Sequence, residues 1–291
     1  MSGLQNYSSQ LLKYTRLFNN GCVASLRSTA TSSFEMIQRE RKVSANNYDP
    51  SSVVLSRGEG IFMWDVEGKK YYDFVGGLAT LNQGHCHPKI INAMTDQLNK
   101  LHHTTRAIFH DSLYELNEFL TEQFDYEKVL NMNTGVEGGE SSIKIARKWG
   151  YRVKKIKHNQ AEVVSAHGNF WGQTIAAISA STDPTSWNEF GPFVPGYQIV
   201  SYDDLKQFIG EPLQDEAGAV VPTLGYLKGV RELCTKHNVL WIDDEIIQAG
   251  LGRTGKMLAV DYENVKPDLL ILGKALSGGV YPMEYPIMST S

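Results

Sequence analysis

Between residues 60 and 74 apolar and polar positions alternate, in Gly-Ile-Phe-Met-Trp-Asp-Val-Glu-Gly-Lys-Lys-Tyr-Tyr-Asp-Phe. That two-residue period predicts a β-hairpin turning at Glu67-Gly68. The period then changes. Ile90, Met94, Leu98 and Leu101 fall on one face of a helix opening after Pro88, since a helix brings every third or fourth residue to one side. Asp111 is placed to cap a second helix, whose apolar positions include Leu113, Leu116, Leu120 and Phe124. Short apolar runs and helical patterns alternate from there. VLNMN precedes a helix through Ile143 and Ala146, EVVSA and YQIVS follow, and a helix over Tyr226–His237 leads to VLWID and LLIL. Such alternation predicts an α/β domain with a mainly parallel sheet and helices on both faces. Sheets of that kind bind ligands at the carboxyl ends of their strands.

Candidate chemistry therefore lies just after each strand. VLNMN runs into Asn133-Thr134-Gly135-Val136-Glu137-Gly138-Gly139-Glu140 and a helix. Small residues there let backbone amides approach an anion, and the helix terminus adds positive potential. Taken alone, a bound phosphate and an ordinary glycine-rich turn explain the stretch equally well. A nucleotide P-loop is set aside because Glu140 stands where its lysine belongs, and the glycine spacing does not fit a dinucleotide fingerprint. Asp243 and Asp244 end the strand VLWI, where a carboxylate serves a cationic nitrogen, a metal or a helix cap. LLIL runs directly into Gly273-Lys274-Ala275-Leu276-Ser277-Gly278-Gly279. A lysine at the mouth of a sheet is either a solvated charge or, once desolvated, an amine able to form a Schiff base. Gly168-Asn169-Phe170-Trp171-Gly172 follows EVVSA, with two aromatics suited to packing or to stacking on a ring. His85-Cys86-His87-Pro88 reads as a turn before a helix, because no matching ligand cluster accompanies it.

Composition narrows the class. The 291 residues are 42% hydrophobic and 21% charged, in the range of a chain that buries a core. A net charge of −4 offers nucleic acid no electrostatic attraction. No apolar run approaches the roughly 18 residues of a membrane span, so no membrane partner is expected. Cys22, Cys86 and Cys234 are odd in number and widely spaced, which speaks against a disulfide scaffold and a cysteine zinc site. Residues 1–34 hold no acid and carry Lys13, Arg16 and Arg27 among many hydroxyl residues. That is the make-up of a mitochondrial transit peptide, and import into the matrix is expected.

A phosphate cup, an aromatic after a strand, a strand-end aspartate and a later strand-end lysine together describe a pyridoxal phosphate site. With NQGHCHPKI, MNTGVEGGE, ARKWGY, GNFWG, STDPTS, FGPF, GVRELC, RTGK, LAVDYENVKPD and LGKALSGG, the sequence resembles the mitochondrial ornithine aminotransferase family of class III, fold-type I aminotransferases. The likeness spans roughly residues 48 to 282. It implies a fold-type I large domain using pyridoxal 5'-phosphate. It also implies a homodimeric or higher mitochondrial transferase linked to proline biosynthesis, which moves the δ-amino group of ornithine to 2-oxoglutarate. The products would be glutamate 5-semialdehyde and glutamate. Position by position, Lys274 would hold the cofactor and shuttle the proton, and Asp244 would pair with its ring nitrogen. Phe170 would stack on the ring, the amides of Gly135 and Val136 would hold the phosphate, and Gln248 would contact the ring hydroxyl. Tyr48, Trp171 and Glu216 would fall around the substrate.

The chain also departs from the family pattern. Gln173 replaces the arginine that follows GNFWG and receives the substrate α-carboxylate, and Leu78 replaces a specificity tyrosine. A neutral amide cannot copy bidentate recognition of a carboxylate. One apolar sheet strand expected before Glu211 is missing, and Glu245-Ile246-Ile247-Gln248 holds one residue more than the family run. The family's C-terminal small domain is expected to be missing as well. The expected organisation is a transit peptide over 1–34, an N-terminal segment with the hairpin over 35–84, and an incomplete cofactor-binding large domain over 85–291. Two alternatives follow from the departures: an impaired form that pairs with a full-length aminotransferase, and a class III aminotransferase with another amine donor.

Overall fold

The computed structural model describes residues 32–205, 220–247 and 252–289. The expected transit peptide, the strand expected before Glu211, Glu216 and Gln248 all lie outside these residues, apart from the transit peptide's last three residues. The chain divides into two units, Met1–Phe74 and Val75–Ser291.

In the first unit, helix α1 (Ser33–Arg41) starts at Ser32, whose hydroxyl accepts the Glu35 amide. The expected hairpin forms between β2 (Phe62–Asp65) and β3 (Lys70–Tyr72), with Trp64 opposite Lys70 and Phe62 opposite Tyr72. Gly68, at φ +86°, makes the turn as the sequence indicates. A further strand, β1 (Leu55–Glu59), pairs with β2 across a register shift between Leu55 and Arg57. Its polar face hid it from an alternation search. Arg57 stacks 3.6 Å from the Trp64 ring centroid, so a cation covers a half-buried aromatic.

The second unit holds helices α2 (Pro88–Lys100), α3 (Leu113–Phe124), α4 (Gly135–Arg152) and α5 (Tyr226–His237). A four-stranded sheet runs in the order β4 (Lys128–Val129), β9 (Tyr285–Met288), β8 (Leu269–Leu272), β7 (Ile242–Asp244). Strands β7 and β8 are parallel, and β9 runs against both β8 and β4, so three of the four strands share one direction. A separate parallel pair joins β5 (Val163–Ala166) to β6 (Tyr197–Val200).

Residue alternation along β8 sets the layers. Leu270 and Leu272 join Leu120, Phe124, Tyr226, Val230, Trp241 and Ile287 in the core beneath α3 and α5. Ile271 points the other way, toward α4, where a Cβ on Gly138 would stand 3.2 Å from its Cγ2. Strand β9 escaped the sequence reading because Pro286 sits within it, and proline cannot donate to a ladder. The Pro286 carbonyl nevertheless accepts the Leu130 amide at 2.9 Å, and the residue lies opposite Ile271. Asp111 does not cap α3. Ser112 holds the cap position, and Asp111 instead pairs with Lys100. The two charges meet across the connection between α2 and α3.

Among the described residues, β5 and β7 each have one ladder neighbour. Between them lies a cavity of about 160 Å³, lined by Val163, Val164, Ser165, Leu240, Ile242 and, from α4, Ile143.

Candidate active site

Three chain segments converge where β7 and β8 end. Asp244 closes β7 and lies opposite Ile271 of β8, so the residues after Leu272 emerge beside it. Lys274 follows after one glycine, in a short 3-10 turn over Lys274–Ser277. Its φ is +46°, a left-handed conformation that costs a non-glycine residue roughly 1–2 kcal/mol. The turn is held by the Ser277 hydroxyl, which donates to the Lys274 carbonyl at 3.0 Å. Strain of this sort persists where surrounding structure imposes it, often at functional positions.

Asp244 is half-buried by surface yet deep enough that desolvation pushes its carboxyl up to about 6. The Ile246 amide, donating to Asp244 Oδ1 at 3.1 Å, and the positive charge of Lys274 both pull it back down. The aspartate thus both caps the turn after β7 and feels the charge of the lysine. Its neighbours face elsewhere by strand alternation. Asp243 is fully buried on the side of Tyr126, whose phenol is raised by burial first and by the Asp243 charge second. Glu245 accepts the Val260 amide at 3.0 Å, and burial pushes its carboxyl up to about 8.

Helix α4 brings its N-terminus to the same end. Thr134 and Glu137 form a capping box: the Thr134 hydroxyl accepts the Glu137 amide, and the Glu137 carboxylate accepts the amides of Asn133 and Thr134. The amides of Gly135 and Val136 have no acceptor among the described residues and lie beyond the reach of intrahelical bonds. The turn after β5 docks here. A Cβ on Gly172, at φ +135°, would stand 2.5 Å from Val136 Cγ2. Asn169 braces that turn by donating to the carbonyls of Ala166 and Ala180, at 2.6 and 2.8 Å. Phe170 is exposed on it, and so is Gln173 just beyond.

Gly138 and Gly139 serve packing, not anion approach. A Cβ on Gly139 would stand 2.7 Å from Trp171 Cε3, and one on Gly138 the same distance from Glu284 Cγ. Trp171 settles on α4, lines the cavity between β5 and β7, and lies 6.4 Å from the Tyr197 ring. Tyr48 is exposed in the first unit. Leu78 is exposed too, in a turn over Gly76–Ala79 whose four residues all have positive φ.

Glu284 is the site residue that sequence reasoning missed. It is 2% exposed, and burial first, then the charge of Asp244, pushes its carboxyl up to about 9 against the opposing pull of Lys274. No motif flags an acid in Tyr-Pro-Met-Glu-Tyr-Pro, and only the reversed direction of β9 delivers it to this end of the sheet.

A lysine, an aspartate and two open helix-terminal amides are the donor set a phosphorylated aldehyde with a ring nitrogen requires.

A family profile described as aminotransferase class-III matches residues 43–290. The mitochondrial ornithine aminotransferase of Drosophila melanogaster is 57% identical over 258 residues, covering 84% of this chain and 60% of that protein. That of Rattus norvegicus is 53% identical over 282 residues, covering 90% and 64%. The crystal structure of the ornithine aminotransferase from Toxoplasma gondii ME49 superposes with a TM-score of 0.88 at 43% identity, covering 90% of this chain and 65% of that one. The chain therefore spans about three-fifths of the length of the curated relatives it matches.

Proposed function

The chain belongs to the class III aminotransferases, and from that premise we propose that it uses pyridoxal 5'-phosphate to move the δ-amino group of ornithine to 2-oxoglutarate, yielding glutamate 5-semialdehyde and glutamate. One observation carries the reading: Lys274 and Asp244 leave neighbouring parallel strands at the same end, close enough for the lysine charge to act on the aspartate.

The cofactor, when bound, supplies an electron sink for negative charge developing at the substrate carbon. Asp244 would keep a proton on the ring nitrogen, since a carboxylate beside that atom favours its cationic form. Desolvation at Asp244 strengthens any such pairing, because a partly buried carboxylate gains more from a cation than a solvated one does. Lys274 Nζ is the amine for the cofactor aldehyde, and once released it would carry the proton to and from the substrate carbon. The amides of Gly135 and Val136, with the potential of an 18-residue helix behind them, would hold the phosphate. Phe170 would cover one face of the ring from the turn that Gly172 docks on Val136. Trp171, Tyr48, Glu216 and Gln248 complete the set assigned to the substrate and the ring hydroxyl.

Names of several relatives place them in mitochondria. With the acid-free, basic stretch over residues 1–34, that supports import into the matrix. A dimer or higher homo-oligomer is part of the same reading. Exposed Ile91, Leu98 and Leu101 on and beside α2 support it, as an uncovered apolar stripe favours a partner surface. A second reading, a class III aminotransferase with another amine donor, rests on Gln173 and Leu78.

The test is a visible absorption spectrum of the 291-residue protein with pyridoxal phosphate, repeated with Lys274→Ala. A cofactor band that needs Lys274 and shifts on adding ornithine is expected. Spectra matching free cofactor in both proteins would overturn the reading, and a shift with other amines but not ornithine would select the second one.

A further inference from the structure

We infer that Glu284 governs the anion site at the N-terminus of α4, so that a phosphate group is held at the Gly135 and Val136 amides only while the Glu284 carboxyl carries its proton. The inference rests on the cofactor reading above and deepens it, by naming a residue that sets when the phosphate is accepted.

The backbone fixes where the carboxyl sits. Glu284 is locked to Met132 by two bonds, Met132 N to Glu284 O at 2.8 Å and Glu284 N to Met132 O at 3.0 Å. Met132 lies two residues before Thr134, the cap of α4. The side chain is thereby delivered beneath the first turn of the helix. Three glycines make room for it. A Cβ on Gly138 would stand 2.7 Å from its Cγ, one on Gly135 would stand 3.5 Å from its Oε1, and one on Gly273 would collide with both carboxyl oxygens. Gly273 immediately precedes Lys274, so the acid lies between the helix terminus and the lysine turn. Oε1 is buried and has no hydrogen-bond partner among the described residues.

The surrounding charges decide its state. Asp244 faces it from the end of β7 and Lys274 from the turn after β8, the first raising its pKa and the second lowering it. On α4, the Glu137 carboxylate is turned back onto the Asn133 and Thr134 amides, and Glu140 accepts the Thr174 hydroxyl at 2.6 Å. On β9, Tyr285 adjoins it and has its phenol pushed up to about 12, burial first and the Glu284 charge second. Burial outweighs Lys274, so the carboxyl is neutral at pH 7. A neutral carboxyl is a donor in search of an acceptor, and a phosphate oxygen at the Gly135 and Val136 amides supplies one. An ionised carboxyl reverses the situation. It repels the phosphate across a poorly hydrated gap and draws on the helix potential itself.

Inorganic phosphate is the probe, because it cannot react with Lys274, and its binding to the full 291-residue protein is followed by phosphorus NMR between pH 7 and 10.5. Above about pH 8, where the probe is fully dianionic, expected is constant affinity to about pH 9, then a fall of about tenfold per pH unit, as for loss of one required proton. Glu284→Gln and Glu284→Ser should bind phosphate with no such step, and circular dichroism checks that each is folded. If Gln fails to fold, the Ser variant and the parent profile decide. A step of equal size in a folded variant, or a flat parent, overturns the inference and leaves the cofactor reading intact. Absent phosphate binding alongside a Lys274-dependent cofactor band has the same meaning. Absence of both overturns both.

Discussion

Asp268 accepts Arg231 Nη1 at 2.8 Å and, through the same carboxylate oxygen, the Trp241 amide at 2.7 Å. One side chain just before β8 thus ties α5 to the start of β7, and the far ends of β7 and β8 carry Asp244 and Lys274. Both partners are mostly shielded, with 22% and 31% of their side chains exposed. Asp268→Ala strips the amide of its acceptor and the guanidinium of its anion, and should lower unfolding free energy by about 2–3 kcal/mol. Asp268→Asn keeps the acceptor and should lose clearly less. Urea melts of the three proteins check the ranking.

Gly139→Ala tests the contact beneath Trp171. Helix propensity favours alanine by about 1 kcal/mol. The added Cβ would stand 2.7 Å from Trp171 Cε3, and overpacking of that kind costs about 1–3 kcal/mol. The clash should win, giving a lower melting temperature. Replacing Trp171 by leucine in the same chain should then turn the alanine from harmful to helpful, a sign change that a double-mutant cycle reads directly.

Three buried acids set the pH dependence of stability. Burial pushes Asp244 to about 6, Glu245 to about 8 and Glu284 to about 9. Each folded pKa lies above its unfolded value, so the folded protein binds more protons between about pH 4 and 9. Stability from these groups is fully present below their unfolded pKa values and is lost as pH rises to about 9. Melting temperature should therefore be higher at pH 6 than at pH 8.5. Glu284→Gln and Glu245→Gln should each flatten the slope, because an amide keeps the shape without the titration. A melting temperature that climbs from pH 6 to 8.5 would contradict the burial of all three.

The cavity between β5 and β7 offers a gain instead of a loss. Ala146 reaches it from α4, and leucine is nearly as good a helix former. Ala146→Leu puts methyl groups into about 160 Å³ of apolar space and should raise stability by about 1 kcal/mol. Denaturant midpoints with an unchanged slope would show the cavity filled without rearrangement.

Periodic elements were legible because burial imposes a period. The helix Tyr226–His237 and the hairpin about Gly68 appear where the pattern puts them. The strand-end rule put Asp244 and Lys274 among the candidates, and only the family resemblance gave them roles; the structure brings the two strand ends together. What stayed hidden depends on partners distant in sequence. Pro286 masks β9, Asp111 prefers Lys100 to the helix it precedes, and Gly138 and Gly139 answer to Glu284 and Trp171. Glu284 matters only because an antiparallel strand carries it back to the mouth of a parallel pair.

If the chain carries out the proposed transfer, Gln173 bears on which amine it accepts. It stands exposed just past the turn that docks on Val136, where the family pattern has arginine. A guanidinium grips a carboxylate through two parallel charge-assisted bonds, whereas a neutral amide offers weaker, uncharged donors. Gln173→Arg should therefore tighten ornithine by about tenfold, or about 1.4 kcal/mol, read as the half-saturation of the ornithine-induced change in the cofactor spectrum. 1,4-Diaminobutane carries the same reacting amine and no carboxylate, so its half-saturation should not move. Equal tightening of both amines would mean that the new arginine acts on the pocket as a whole, and recognition of the α-carboxylate at this position would be excluded.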